Sequence, residues 1–211
     1  MTRIGFIGYG ELGRQIDALV SPVGARCEKL FFDDSCVAEG LPGALPFSSH
    51  ADQQFADVRF YVCLGYKHLA RKTEIILRLL EMGRDLPSFI HSTCHVSPSA
   101  RIAKGAILYP MCNVDKDVTI GHGVLLNNSV VVSHNTTIGD GCYLSPGVVV
   151  SGFANIGANT FIGSGAVISN DLEIGENAVI GIGTVVTKEV PDECSAIGNP
   201  MRILERRLKL K

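Results

Sequence analysis

Ser133-His134-Asn135 is the stretch of this chain best suited to moving a proton, and Gly152, eighteen residues further on, gives it something to work with. If residues eighteen apart stack in adjacent rungs of one coil, His134 has Lys116 below it and Gly152 above it, about 4.8 Å away. Gly152 carries no side chain to shield its backbone N–H. A base beside an unshielded donor is the minimum apparatus for acyl transfer, because one takes a proton and the other stabilises an oxyanion.

A second candidate lies near the N-terminus. Gly8, Gly10 and Gly13 spell GxGxxG directly after the apolar run Arg3–Ile7, and Asp33 follows Gly13 by twenty residues, the spacing of a dinucleotide fingerprint. Such glycines let backbone N–H groups approach a phosphate at a helix N-terminus. Only about 90 residues are available before the next region, enough for one mononucleotide-binding half rather than two. This favours a mononucleotide or nucleotide-diphosphate ligand over NAD; a turn that merely starts a helix is the competing reading.

The remaining candidates are weaker. His122 lies two hexads from His134 and belongs to another face, while His91 and His95 share a helical spacing in a segment that does not favour helix. No three histidines converge as a zinc enzyme of the γ-carbonic anhydrase type would require, so no metal is expected. The seven cysteines are odd in number, scattered and without CxxC, which argues against disulfides or zinc. Cys112 and Cys142 read as packing residues.

The element that must carry His134 is a repeat. From Val96 to Val186 every sixth residue is aliphatic: Val96, Ile102, Leu108, Val114, Ile120, Leu126, Val132, Ile138, Leu144, Val150, Ile156, Ile162, Ile168, Ile174, Ile180 and Val186. Gly often follows the aliphatic, and four residues on there is usually something small or β-branched, as at Ala106, Val124, Thr160 and Ala178. The period reads as a parallel β-helix of about five coils. Each rung buries its aliphatics only against its neighbours, leaving outward side chains free to build sites.

Before about residue 90 the rules change. Arg3–Ile7, Glu28–Phe32 and Arg59–Leu64 read as strands, Glu11–Val20 as a helix, and His68–Glu81 as a second helix with Leu69, Ile76, Leu77, Leu80 and Met82 on one side. Strand–helix alternation implies a small parallel sheet. The division is therefore 1–90, an α/β Rossmann-like half, and 91–211, the β-helix with a short basic tail containing Arg202. A net charge of -2 gives no reason to expect nucleic acid or an anionic membrane as partner. No signal-like segment or long apolar run is present, so a cytoplasmic location without membrane insertion is expected.

With Leu126-Asn127-Asn128, Val132-Ser133-His134, Ile138-Gly139-Asp140-Gly141, Ser145-Pro146-Gly147, Val186-Thr187-Lys188-Glu189-Val190-Pro191 and the closing Gly198-Asn199-Pro200, the chain resembles the PglD/NeuD-type sugar acyltransferases over essentially its whole length. The resemblance implies a homotrimer of left-handed β-helices binding acetyl-CoA between subunits. It makes His134 the general base, oriented by Asn135, with the Gly152 N–H on the thioester carbonyl and Asn127 near the sugar. Gly10, Glu11, Asp33, Asp34 and Gly65 fall where relatives hold the nucleotide of a nucleotide-linked sugar, and Lys67 could meet a phosphate. Ile162, Gly163, Ser164 and Gly181 would line the pantetheine groove, with Arg202 near the CoA phosphates; a solvated helix face is the alternative for that tail.

The sequence departs from the family twice. Asn135 stands where a carboxylate is usual, and Tyr66-Lys67-His68 replaces an Asn-containing segment, with Arg71 one position off the expected Arg. The implied activity is N-acetylation of a nucleotide-linked amino sugar, a 4-amino-4,6-dideoxyhexose, in bacterial surface-glycan (lipopolysaccharide) biosynthesis. Sugar O-acetylation of the sialic acid type is the runner-up. A non-catalytic nucleotide sensor and an NAD-dependent oxidoreductase are the rivals from other classes.

Overall fold

The computed structural model describes residues 2–21 and 27–210, which form two compact units meeting between Pro87 and Ser88. In the first unit, strands β1 (Thr2–Ile7), β2 (Cys27–Phe32), β3 (Ala44–Leu45) and β4 (Arg59–Val62) make a parallel sheet in the order β3-β2-β1-β4. Its helices are α1 (Glu11–Val20), α2 (Asp34–Ala38) and α3 (Leu69–Glu81). The sheet is buried around Ile7, Phe32, Phe60 and Val62, packed with Ile75, Ile76 and Leu79 of α3.

The face α3 buries differs from the sequence expectation. Leu69, Lys72, Thr73, Ile75, Ile76 and Leu79 point inward, while Leu77 and Met82 are exposed. Steps of three and four from Leu69 lead through Lys72, Thr73 and Ile76, so the helical period is kept. The apolar set chosen from sequence overlooked two polar residues that belong to the stripe.

The second unit is a parallel β-solenoid. Its strands fall into sheets of eight, six and five, and within the hexad region partners are eighteen residues apart, as in Val132↔Val150 and Ile138↔Ile156. Three hexads therefore make one turn. Phe89–Ile90 and Ser195–Ile197 extend the stack beyond the hexads, giving about six turns rather than five.

The repeat follows from two demands per hexad. The sixth-position aliphatic and the small residue four further on both enter the core, as Ile120 with Val124 and Ile138 with Cys142 show. Truncating one fully buried member, such as Ile138→Ala, removes packing on two sides and costs about 2–5 kcal/mol. From Gly105 to Gly183 the third residue past each aliphatic turns the corner in the left-handed region, with φ of 55–73°. Gly, Asn and Asp dominate there because they tolerate that conformation.

The final turn breaks register. Val179 pairs with Ser195, sixteen residues on, and Ser195–Ile197 then pairs antiparallel with Arg202–Leu204. The basic segment thus begins as a strand, not a helix, and further along the Leu208 N–H donates to Ser195 Oγ at 2.9 Å. No helix among the described residues is long and apolar enough to cross a membrane.

Candidate active site

His134 occupies a corner between the six- and five-stranded sheets, two residues past the buried Val132. The ladder holds it from both sides: the Asn135 N–H donates to Lys116 O at 3.0 Å, and the Phe153 N–H donates to His134 O at 3.1 Å. The imidazole, half-buried, lies against Gly152. A Cβ at that position would sit 2.7 Å from His134 Cε1 and 3.0 Å from Nε2. Only glycine leaves room for the ring where it is.

Asn135 stands beside the ring. Its Oδ1 lies 3.1 Å from His134 Nδ1, an arrangement that suits the tautomer protonated at Nδ1, in which Nε2 keeps its lone pair. Asn135 also has φ 59°, a conformation that favours Asn, Asp or Gly. Its identity thus has a backbone reason beside its contact with the histidine. Among the described residues, the Gly152 N–H donates to no backbone or side-chain acceptor, while its carbonyl accepts from Asp171 N. Phe153, unremarked in the sequence, meets the imidazole edge-on with centroids 5.1 Å apart.

His122 is built differently. Asp140, eighteen residues on, takes the His122 N–H at 2.6 Å and faces its Nδ1 at 3.3 Å. It has a carboxylate partner where His134 has an open backbone donor, and it stands at another corner. Among the described residues, no three His, Cys, Asp or Glu side chains converge as a metal site. The seven cysteines are free thiols. Cys112 and Cys142 fill the core's small-residue slot, and burial pushes the Cys112 thiol up to about 12.

The other residues proposed for the solenoid lie elsewhere on it. Asn127 is anchored at the edge where the six-stranded face begins: its Nδ2 donates to the Tyr143 hydroxyl at 3.2 Å and its Oδ1 accepts from Asn128 N. Gly163, Ser164 and Gly181 belong to the same edge, where a Cβ on Gly163 would meet Ile182 N at 2.7 Å. The Ile162 side chain is fully buried in the core, so only its backbone can line a groove. The run from Asn127 to His134 turns the corner at Ser129 and then crosses the six-stranded face along Val131–Val132. Within one chain, these residues and His134 occupy opposite edges of that face. Arg202 is exposed in the closing strand.

In the α/β unit, the three glycines of the turn have different reasons. Gly8 has φ 82°, and a Cβ on Gly13 would lie 2.5 Å from Gly8 O, so both are demanded by the chain itself. Gly10 is demanded by nothing within it: its φ is -71° and a Cβ there meets nothing within 4 Å. It caps α1 without a side-chain hydrogen bond, next to exposed Glu11. Asp33 is already engaged, since Oδ2 accepts the Tyr9 N–H at 2.7 Å and Oδ1 caps α2 through Ser35 and Cys36. Asp34 Oδ1 accepts the Phe47 N–H. Gly65 precedes a short 3-10 turn that carries exposed Lys67.

The sequence reading also missed what braces this turn. Buried Asp17 of α1 accepts from Lys29 Nζ at 2.7 Å, from the Tyr9 hydroxyl at 2.6 Å and from Ser21 Oγ. Burial opposes its charge, but the three hydrogen bonds prevail and hold its pKa below the ordinary aspartate value. Burial and the Asp17 hydrogen bond together raise the Tyr9 phenol. Tyr9 also packs on Phe31, with centroids 4.0 Å apart.

The chain matches solved structures over nearly its whole length. The family of GMPPB C-terminal domains matches residues 90–194. No curated protein sequence matches the chain significantly. Among solved structures, WeeI from Acinetobacter baumannii is 26% identical with a TM-score of 0.85, covering 97% of this chain and 100% of that one. The acetyltransferase domain of PglB from Neisseria gonorrhoeae is 25% identical with a TM-score of 0.85 over 97% and 100%; it is also solved with acetyl coenzyme A. PerB from Caulobacter crescentus, solved with CoA and GDP-perosamine, shares the fold at 23% identity and a TM-score of 0.85, covering 97% of each chain. The chain fits the hexapeptide-repeat sugar-acyltransferase type. It is an acyltransferase.

Proposed function

We propose that this protein is an acetyl-CoA-dependent N-acetyltransferase acting on a nucleotide-linked amino sugar, a 4-amino-4,6-dideoxyhexose. The observation that carries the reading is the Gly152 N–H, without an intrachain acceptor, against an imidazole whose Nε2 is left free by Asn135. The sugar amine attacks the thioester carbonyl while Nε2 takes its proton. The carbonyl oxygen becomes an oxyanion held by the Gly152 N–H, a contribution of about 3 kcal/mol in comparable sites. Collapse re-forms the carbonyl and breaks the C–S bond, and the imidazolium returns the proton to the departing thiolate. Asn135 orients the ring without adding charge, which suits an amine, already nucleophilic when neutral, better than a hydroxyl.

The remaining roles are those that the resemblance implies. Gly10, whose openness serves nothing inside the chain, admits the diphosphate at the start of α1, with Glu11, Asp33, Asp34, Gly65 and Lys67 around it. The groove formed by Gly163, Ser164, Gly181 and the Ile162 backbone takes pantetheine, with Arg202 towards the phosphates and Asn127 near the sugar. These groups and His134 lie on opposite edges of one face, so a single copy does not complete the site. The half-exposed valines Val131, Val149, Val167 and Val185 on that face offer the contact by which copies join into a trimer. The setting proposed is cytoplasmic surface-glycan biosynthesis.

Thiol release from acetyl-CoA, followed with UDP-, GDP- and dTDP-linked 4-amino-4,6-dideoxyhexoses and with sialic acid, tests the reading. Release with at least one amino sugar is expected. Release with sialic acid alone would replace it with O-acetylation.

A further inference from the structure

Above and below one another at the His134 corner stand Asp117, Asn135, Phe153 and Asp171, all in the left-handed region with φ of 57°, 59°, 60° and 57°. Asp and Asn bear that conformation because a short polar side chain can bond locally; a phenylalanine bears it at a conformational cost. Burial does not repay the cost, because Phe153 is 54% exposed. Met111 and Glu193 break the same corner rule, but with flexible side chains. Phe153 instead holds a rigid ring edge-on to the imidazole proposed as the base. Strain kept at an exposed position beside a reactive group points to use rather than packing.

We infer that Phe153 is a specificity residue for the acceptor: its exposed ring receives the apolar C–H face and 6-methyl group of a 6-deoxy sugar. This rests on the transfer reading above. The ring stands exposed beside the imidazole, and a phenyl face rewards C–H and methyl groups while offering a 6-hydroxyl no partner.

The test replaces Phe153 with the residue that the corner below already carries. Phe153→Asn relieves the backbone, so the melting temperature should rise by about 2–4 °C. Acceptor KM for the nucleotide-linked 4-amino-4,6-dideoxyhexose should rise about tenfold, with kcat, acetyl-CoA KM and the pH–rate profile nearly unchanged. The wild-type preference for that sugar over its 6-hydroxy counterpart should narrow by a similar factor. An unmoved acceptor KM overturns the inference alone. A lower melting temperature with both KM values raised equally, or dissociation of an oligomer seen by light scattering, makes Phe153 a packing residue and overturns it too. Wild-type protein that releases no thiol with any amino sugar overturns the transfer reading and this inference with it.

Discussion

Gly152→Ala isolates the placement of the proposed base from its presence. The added methyl would stand 2.7 Å from His134 Cε1, 3.0 Å from Nε2 and 3.1 Å from Nδ1, whereas carbon atoms rest at about 3.5–4.0 Å. The ring must therefore retreat by about 1 Å. The ring is half-exposed, and the backbone at 152 is not left-handed, so the retreat should cost about 1 kcal/mol of stability or less. The retreat pulls Nδ1 away from Asn135 Oδ1, now 3.1 Å distant, and Nε2 away from the acceptor. A displacement of this size costs about 10²-fold in rate, or about 2.7 kcal/mol at the transition state. The backbone N–H of residue 152 survives, so the loss reports on the base. The assay is thiol release under saturating acetyl-CoA and acceptor, with circular-dichroism melting as the control. A variant that melts like the wild type and keeps kcat within about threefold would refute the claim that glycine places the imidazole.

His134→Ala should lower kcat by about 10² or more with little change in acceptor KM, because the proton moves only on the way to the transition state; near-full activity across the pH–rate profile would move the base elsewhere. Asn135→Asp keeps both the left-handed corner and the orienting bond while adding a charge that favours the imidazolium. It should raise the apparent pKa of the base in kcat/KM profiles, with activity equal or higher. Gly10→Asp meets open space and adds a favourable helix cap, so melting should hold or improve while nucleotide-sugar affinity falls and acetyl-CoA affinity stays, as calorimetry would show. Asp17 has its pKa depressed in the fold, so its stabilisation is full above the ordinary aspartate pKa of about 4 and is lost as pH falls through the lower folded value. Asp17→Asn should cost about 1–3 kcal/mol at pH 7 and flatten the melting-temperature profile below about pH 4.

The hexads were legible because a core shared between rungs permits no exception, and the same eighteen-residue arithmetic sets His134 under Gly152. Features that depend on contacts distant in sequence were not. Nothing near Asp17 announces Lys29, and the fingerprint spacing that singles out Asp33 is silent about its bond to Tyr9. Ile162 was legible as a hexad aliphatic and so as a buried side chain, which leaves only its backbone for a groove. Phe153 went unremarked although its place in the hexad identifies a corner, where the Gly, Asn and Asp of other corners mark a phenylalanine as an outlier.

The shortened last turn has a consequence for how copies of this chain meet end to end. A parallel in-register sheet finishes in an edge that matches the start of another such stack, so an open final rung is a template for unlimited head-to-tail growth. Here the sixteen-residue step and the reversed strand Arg202–Leu204 replace that template on the widest sheet with an antiparallel edge of the wrong hydrogen-bond pattern. The exposed Arg202 charge adds to the mismatch. On that sheet, the segment that closes the coil therefore presents an edge that a second parallel stack cannot continue in register.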